Sequence, residues 1–303
     1  MVGVITTSSI PKALKEGVRR WWGREYPKHP KFHTAMFEVL DSSKAYEEDV
    51  ELTGFGLAPV KTEGNSGSYD SETQGTVKRY THVAYALGFK CTYEESKDGL
   101  YEQVSRRRTT ALAFSMETTR QIICANVFNN GFDSTFQGGD GKEWFATDHP
   151  TIDGTQSNEL NPSAEFSEAA LEDLLIQIKN ADNSRGLPIA PMAVDIMGPT
   201  KLMFEMTRVL KSEQQSNTAN NDINAIRDMG LLQKKPIINP YLTNDDDWYV
   251  RTNIPAGATY YDRETVSFDE DNDFDTKNHK WLAYMRFVAG WTDWRGWYAS
   301  AGA

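Results

Sequence analysis

The feature that most constrains this sequence is an uninterrupted helical stretch just past residue 98. After Asp98 and Gly99, the run LYEQVSRRRTTALAFSMETTRQIICANVFNN contains no proline. It repeats Leu100, Val104, Ala111, Ile122 and Ala125 near helical spacing. Asn129–Gly131 supplies the stop signal. At the helical rise, roughly 30 residues make a rod about 45 Å long, where a globular helix averages about a dozen residues. Leu100, Val104, Leu112, Met116 and Ile123 form the stripe predicted to be buried.

The chain before the rod divides in two. Residues 11–48 read as helical pieces, opened by Pro11 and LKEGVRRWWG, with FHTAMFEVLDSS after Pro30. The segment around Trp21, Trp22 and Tyr26 is both aromatic and charged, which suits an N-terminal arm that docks elsewhere and suits a peripheral helix equally. Residues 49–97 change character: Val50–Leu57 alternates weakly, KTEGNSGSYDSETQG is polar and glycine-rich, and TVKRYTHVAYALGFKCTYE is strand-like. That pattern predicts a long two-stranded hairpin with a projecting tip.

Beyond the rod, residues 130–163 read as loop, and residues 164–257 as a compact α/β unit. In that unit SAEFSEAALEDLLIQIKNA is an amphipathic helix with Ser163 as its cap. MAVDIMG is a short strand, PTKLMFEMTRVLKS a helix, and LLQKKPIINPYLTNDDDWYVRTN a strand pair. Residues 258–303 return to strand patterning on either side of an acidic loop, DEDNDFD. No internal repeat is visible.

Composition closes several functional classes. At 303 residues and 39% hydrophobic, the chain furnishes a real core. Its 32 basic against 43 acidic side chains give a net charge of -11, and a surface of that sign does not gather nucleic acid by bulk electrostatics. Two cysteines, Cys91 and Cys124, make neither a disulfide scaffold nor a metal site, and are expected as reduced thiols. No apolar run is long enough to span a membrane, and Met1–Pro11 lacks the charged start and cleavage site of a signal peptide. The expected setting is a cytosol.

Catalytic motifs are absent as well. GGDGKEW looks like a phosphate cradle, but Phe136 and Glu143 stand where a Walker A motif needs glycine and Ser or Thr. It reads as a surface loop. His29 and His33 are four apart, but Pro30 between them disturbs the helix that would align them. His149 beside Asp148 and Pro150 reads as a turn residue, and the run Asp269, Glu270, Asp271, Asp273 and Asp275 as a solvated turn. No catalytic residue, cofactor or metal is therefore expected. Arg106, Arg107 and Arg108 form the compact basic cluster; successive helical positions fan out by 100°, so these arginines predict ion pairs to neighbouring elements or subunits more than one flat stripe.

The segments GFGLAPVKTEGNSGSYDSETQG, ALGFKCTYEESKDGLYEQV, ANVFNNGFDSTFQGGDGKEWFATDHP, INPYLTNDDDWYV and WTDWRGWYASAGA together resemble the major capsid proteins of tailed bacteriophages, specifically the Mu-like major head subunits. The resemblance runs nearly end to end. It implies the α+β HK97-like capsid fold: residues 1–48 as N-terminal arm, 49–97 as extended loop, 98–163 as the peripheral domain with its spine helix, 164–257 as axial domain, and 258–303 returning to the peripheral domain. It implies a non-enzymatic shell subunit forming hexamers and pentamers of a virion assembled in the host bacterial cytoplasm. The implied partners are a portal protein, a separate scaffolding protein and packaged double-stranded DNA, the last in light contact only, with Arg106–Arg108 as one place for it. A tail or baseplate structural protein is the alternative. Trp21, Trp22, Tyr26, Phe55, Lys61, Glu63, Tyr69, Lys78, Arg106, Arg107 and Arg108 are the expected assembly interface. Some members of the fold join subunits by a Lys–Asn isopeptide bond. Lys61, Lys78, Glu63 and Glu72 supply the residue types here, but the polar tip offers no apolar shielding, and a non-covalent shell is expected.

Overall fold

The computed structural model describes residues 10–92, 94–95, 101–215, 222–273, 275–276 and 278–302. Helix α1 (Ile10–Glu25), α2 (His33–Met36) and strand β1 (Glu38–Asp41) precede β2 (Tyr46–Leu52), β3 (Gln74–Thr81) and β4 (Val83–Cys91). The rod follows as a single helix of 29 residues, α3 (Tyr101–Asn129). Its threonines are accommodated because Thr109, Thr110 and Thr119 donate their hydroxyls to the carbonyls of Ser105, Arg106 and Ser115, one turn back. Gly131 stops the helix by proximity: a Cβ there would lie 2.6 Å from the Phe145 ring. Leu100 lies outside the described residues.

Two four-stranded sheets follow. The first has the order β1, β10 (Thr259–Asn272), β11 (His279–Gly290), β4; the second β12 (Trp297–Ser300), β9 (Trp248–Thr252), β7 (Ala193–Gly198), β8 (Ile237–Ile238). A short pair, β5 (His149–Thr151) with β6 (Gly154–Gln156), stands apart. The hairpin expected over residues 49–97 is shorter than its sequence suggests. Tyr46, the first residue of β2, already faces Thr81, so the chain beyond residue 81 has no partner there. It crosses instead to β11, where Val83 pairs with Phe287. Likewise β8 and β9 do not pair with each other; each lies against β7, one parallel and one antiparallel. Asp269–Asp271 is no turn: it lies inside β10, opposite Leu282, Trp281 and Lys280.

The second sheet separates two cores, and strand alternation sorts its side chains between them. Met197, Tyr249, Trp297 and Ala299 enter the larger core, with Leu112, Met116, Cys124 and Phe128 of α3 and Tyr260, Met285 and Phe287 of the first sheet. Ile196, Trp248, Val250 and Tyr298, one residue out of phase, enter the other. There they meet Leu171, Leu174 and Ile178 of α4 (Glu168–Lys179) and Met206 and Val209 of α5 (Met203–Lys211). The cap of α4 is Ser167, whose hydroxyl accepts from the Ala170 N–H, and not Ser163. A last short helix, α6 (Ala225–Asp228), completes this unit, capped by Asn224. Cys91 and Cys124 are both free and buried, and burial pushes the Cys91 thiol up to about 11.

A polar cluster is buried against α3. Glu117 accepts from Tyr26 Oη (2.6 Å) and from Gln121 Nε2 (2.6 Å), with Arg120 3.7 Å away. Gln121 Oε1 accepts the His33 N–H, and its amide lies 2.8 Å from His33 Nδ1. An amide donor facing Nδ1 selects the neutral imidazole. Burial first, and Arg120 second, push the His33 ring down to about 4.

Two predictions follow from these cores. Met116 is 2% exposed, so Met116→Ala is expected to cost about 2–5 kcal/mol in urea unfolding, whereas Ile122→Ala on the exposed side should stay within about 0.5 kcal/mol. Equal losses would mean that the rod is not packed along one face. For His33, the unfolded ring takes up a proton below about pH 6.5, but the folded ring only near pH 4. The unfolded state therefore binds the extra proton across that window, and stability falls as pH drops from about 6.5 towards 4, by on the order of 3 kcal/mol. In parallel melts, His33→Gln should lose less stability than the parent over that window. Identical pH profiles would show that the ring, with Glu117, Arg120 and Lys31 around it, contributes nothing to acid sensitivity.

Candidate functional site

The described residues include no group of His, Cys, Asp or Glu arranged to hold a metal ion. The two sequence features nearest to catalytic chemistry both turn out to be structural. GGDGKEW is a loop with Gly139 and Gly141 exposed, anchored by the buried Trp144 at its end and by Gly138, where a Cβ would lie 2.0 Å from the Trp291 ring. His149 is not a turn residue but a fully buried one. Its Nδ1 meets Asp140 at 2.6 Å, its Nε2 meets Asn158 Oδ1 at 3.0 Å, and its ring stacks on Trp294 with centroids 4.5 Å apart. Asn158 Oδ1 already accepts the Ala146 N–H, so Nε2 is the donor of that pair. A ring enclosed this way has no access to a substrate.

The exposed chemistry lies on the loop between β2 and β3. Thr53 and Thr73 close its base, each bonding the other through backbone and hydroxyl. A second closure is ionic. Asp70 accepts the Gly56 N–H (2.8 Å) and pairs with Arg185 (2.9 Å), whose other nitrogen donates to Ser71 O. The amides of Gly56 and Ser71, with Arg185 beside them, hold the Asp70 carboxyl below its usual range. Glu51, at the end of β2, accepts from Ser184 Oγ and lies 3.5 Å from Arg295. The base of the loop is thus fastened to the turn at residues 183–186 of its own chain. Past this tether the apolar side chains are in water: Leu57 is 83% exposed, Val60 93% and Tyr69 97%, with Phe55 also exposed. Lys61 and Glu63 share this exposed tip. Lys78 does not: its ammonium donates to Gln137 O at 2.7 Å and sits over the Trp291 ring, and burial lowers its pKa.

The remaining residues expected at an interface have different surroundings. Trp22 is stacked between Tyr26 and Phe268, with centroid distances of 5.2 and 4.7 Å, and is 8% exposed. Tyr26 bonds Glu117, and Trp21 packs against the small cluster of Val18, Cys91 and Trp281. These three aromatics therefore anchor α1 to its own subunit. Arg108 turns to Glu95 (3.1 Å) and to the Lys90 carbonyl, while Arg106 and Arg107 stay exposed beside His29 and Phe114. Sequence reasoning missed Glu51, Asp70, Arg185 and Asn158. All four are ordinary polar residues in loops or at strand ends, and their roles depend on partners far away in sequence. A turn signal at DNSRGLP was the one available hint, and it says nothing of what the arginine reaches.

A family model for phage capsid proteins matches residues 75–300. No curated protein matches the chain. Among solved structures, the fold is similar to the virus-like particle of Pyrococcus furiosus, with TM-score 0.54 and 11% identity over 94% of this chain and 98% of that one. It is similar to a chain of Mycobacterium phage Patience, with TM-score 0.54 and 10% identity over 99% and 89%. It is also similar to a chain of the procapsid of bacteriophage JBD30, with TM-score 0.50 and 14% identity over 98% and 76%. At these identities the likeness is one of fold, and the fold is the HK97-like one.

The tether makes its own prediction. Arg185→Ala removes both ion-pair and carbonyl contacts at a partly exposed site, so global stability should change by less than about 1 kcal/mol. Amide exchange and proteolysis within residues 53–73 should accelerate at least tenfold, because local opening no longer breaks a charged contact. Unchanged exchange would show that the Thr53–Thr73 closure holds the loop alone.

Proposed function

This chain belongs to the phage capsid protein family and is a major capsid protein, and from that premise we propose that it builds an icosahedral shell of hexamers and pentamers around a double-stranded DNA genome. The observation that carries this reading is the loop between β2 and β3. Its base is fastened by Asp70–Arg185 and Thr53–Thr73, yet Leu57, Val60 and Tyr69 remain exposed. A polar loop that holds apolar side chains in water is presenting them to something. A neighbouring copy is the partner that a shell provides in every position. In this reading residues 49–97 are the extended loop, 1–48 the arm, 98–163 with 258–303 the peripheral domain, and 164–257 the axial domain. Phe55, Lys61, Glu63 and Tyr69 are the contact residues on the loop. A portal and a separate scaffolding protein act with it in the host cytoplasm, and the chain groups with the Mu-like head subunits. The family match does not favour a tail or baseplate role.

Lys78 is held inside its own subunit by Gln137 and Trp291. Lys61 stands on the exposed tip, so neither of these two ammonium groups is shielded for cross-linking, and in this reading the shell is held non-covalently. One experiment tests the whole reading. The expressed protein should form hollow particles or capsomer rings in negative stain, and these assemblies, boiled, should run as one band near 34.2 kDa. Replacing residues 57–69 by a short Gly-Ser turn should leave a subunit that melts cooperatively and forms no particles. Particles formed without the loop would remove it from the interface. A denaturation-resistant ladder abolished by Lys61→Ala or Lys78→Ala would make the shell covalent.

A further inference from the structure

Charge is distributed unevenly along this chain. Residues 10–31 carry seven lysines and arginines against two glutamates, although the whole chain has a net charge of -11. The structure lays this basic segment along the rod, α1 running against α3 and His29 meeting Phe114 with ring centroids 5.7 Å apart. Arg20 and Arg24, four apart and exposed, share the outer side of α1, opposite buried Val18 and Trp22. Arg106 and Arg107 are exposed on the facing part of α3. The two groups are close enough to act together, for Arg24 and Arg106 both help hold the carboxyl of Glu25 below its usual range, after its nearer partner Lys28. Lys28 neutralises Glu25 at 2.8 Å. Among the described residues, no ion pair engages Arg20, Arg24, Arg106 or Arg107, unlike Arg108, which pairs with Glu95. A groove on the rod beside His29 is lined by His29, Arg106, Arg107 and Phe114, and the Nε2 of His29 is buried without a hydrogen-bond partner.

We propose that this two-helix basic face is the side of the subunit turned to the shell interior, where its arginines hold the phosphate backbone of the packaged double-stranded DNA. The proposal rests on the capsid reading and adds to it which surface meets the genome. Net charge does not oppose it. At physiological ionic strength a charge is felt over about 8 Å, so a phosphate at this face meets four unpaired guanidiniums and not the acidic remainder of the chain. The earlier objection to a DNA-binding stripe on α3 holds for three consecutive arginines alone. It lapses once α1, packed on the rod, brings Arg24 to the same carboxylate as Arg106, with Arg20 one turn back on the same side of α1. The contact is expected to be sequence-independent, because guanidinium–phosphate contacts position a duplex without reading its bases.

The test uses the intact subunit and a mixed-sequence duplex of about 30 base pairs, followed by fluorescence anisotropy across a salt series. The parent protein should bind at low salt, with log K falling against log salt at a slope of about -3 to -4, as expected when each neutralised phosphate contributes about -0.9. The triple variant Arg24→Glu, Arg106→Glu, Arg107→Glu should bind at least tenfold more weakly with a slope near zero. Lys44→Glu, Lys211→Glu, Lys235→Glu, equal in charge change but elsewhere on the surface, should stay within about twofold of the parent. Arg→Lys at the three positions should restore binding, which shows that misfolding is not the cause. Equal losses in both triples, or a parent that does not bind at low salt, would overturn the proposal. So would a face variant that binds DNA as tightly as the parent. Negative stain of the same preparations separates the two readings: particles or capsomer rings that form from a parent lacking DNA affinity refute this face alone, and DNA affinity with neither particles nor rings refutes the shell reading alone.

Discussion

The carboxamide of Asn158 is the contact on which the rest of the subunit depends. Fully buried, it donates to the carbonyls of Trp144 (2.8 Å), Trp294 (3.1 Å) and Trp297 (3.1 Å), and accepts the Ala146 N–H (3.0 Å) and the His149 ring. Its two N–H groups are shared among three carbonyls from two distant stretches of chain, and leaving even one of those groups without its partner would cost about 1–3 kcal/mol. What the amide holds in place is aromatic. Trp144 and Trp297 close on Phe128, with centroid distances of 4.7 and 4.9 Å, and Phe128 ends the rod. The polar hub therefore fixes where the helix meets the second sheet, and that sheet in turn fixes both cores.

The second sheet makes that dependence global. Its strands put Tyr249 on one side and Trp248 and Val250 on the other, and Trp297 on one side and Tyr298 on the other. A slip of one residue in β9 or β12 would exchange the two sets and misfill both cores at once. The register is pinned where backbones meet most closely: a Cβ on Gly296 would lie 2.2 Å from the Gly257 Cα. Because β12 joins β9 and β7 across long stretches of sequence, the second core closes only when residues near 300 have arrived. Such non-local pairing is intrinsically slow to form.

What was legible in the sequence follows from the range of the forces involved. The rod was legible because helical periodicity and the lack of proline are local, and so were the α4 and α5 helices and the strand MAVDIMG. Strand partnership was not, because period-2 patterning says that a strand has two faces but not which strand it joins. So β4 was read as a hairpin arm and β8–β9 as a pair. Composition misled at Asp269–Asp271, which is a largely exposed part of β10 and not a turn, and it did not show that the glycine-rich loop before Trp144 is anchored where Gly138 admits the Trp291 ring. Ser163 and Ser167 both precede the apolar run of α4, and only the Ala170 N–H chooses between them. The exposed loop was legible as a loop, but the arginine that tethers it, Arg185, lies more than a hundred residues away.

That tether bears on how strong a loop contact between neighbours can be. Ordering a free residue costs about 1–2 kcal/mol, and covering a Val, Leu or aromatic side chain returns about 1.5–3 kcal/mol. Leu57, Val60 and Tyr69 alone could not offset the ordering of an untethered loop that spans residues 53–73. With Thr53–Thr73 and Asp70–Arg185 already closed inside the subunit, the base of the loop is ordered at folding, and the tip remains to be fixed on contact. Covering three apolar side chains then returns roughly 5–9 kcal/mol, less than ordering every tip residue would cost, so a contact made through the loop stays weak and reversible. In the proposed shell each subunit would make such a contact through its own loop and receive one from another copy, so stability would come from multiplicity and not from any one strong bond. A loop prepared in this way can be wrong and corrected while the shell is small, and becomes effectively irreversible once every subunit is engaged.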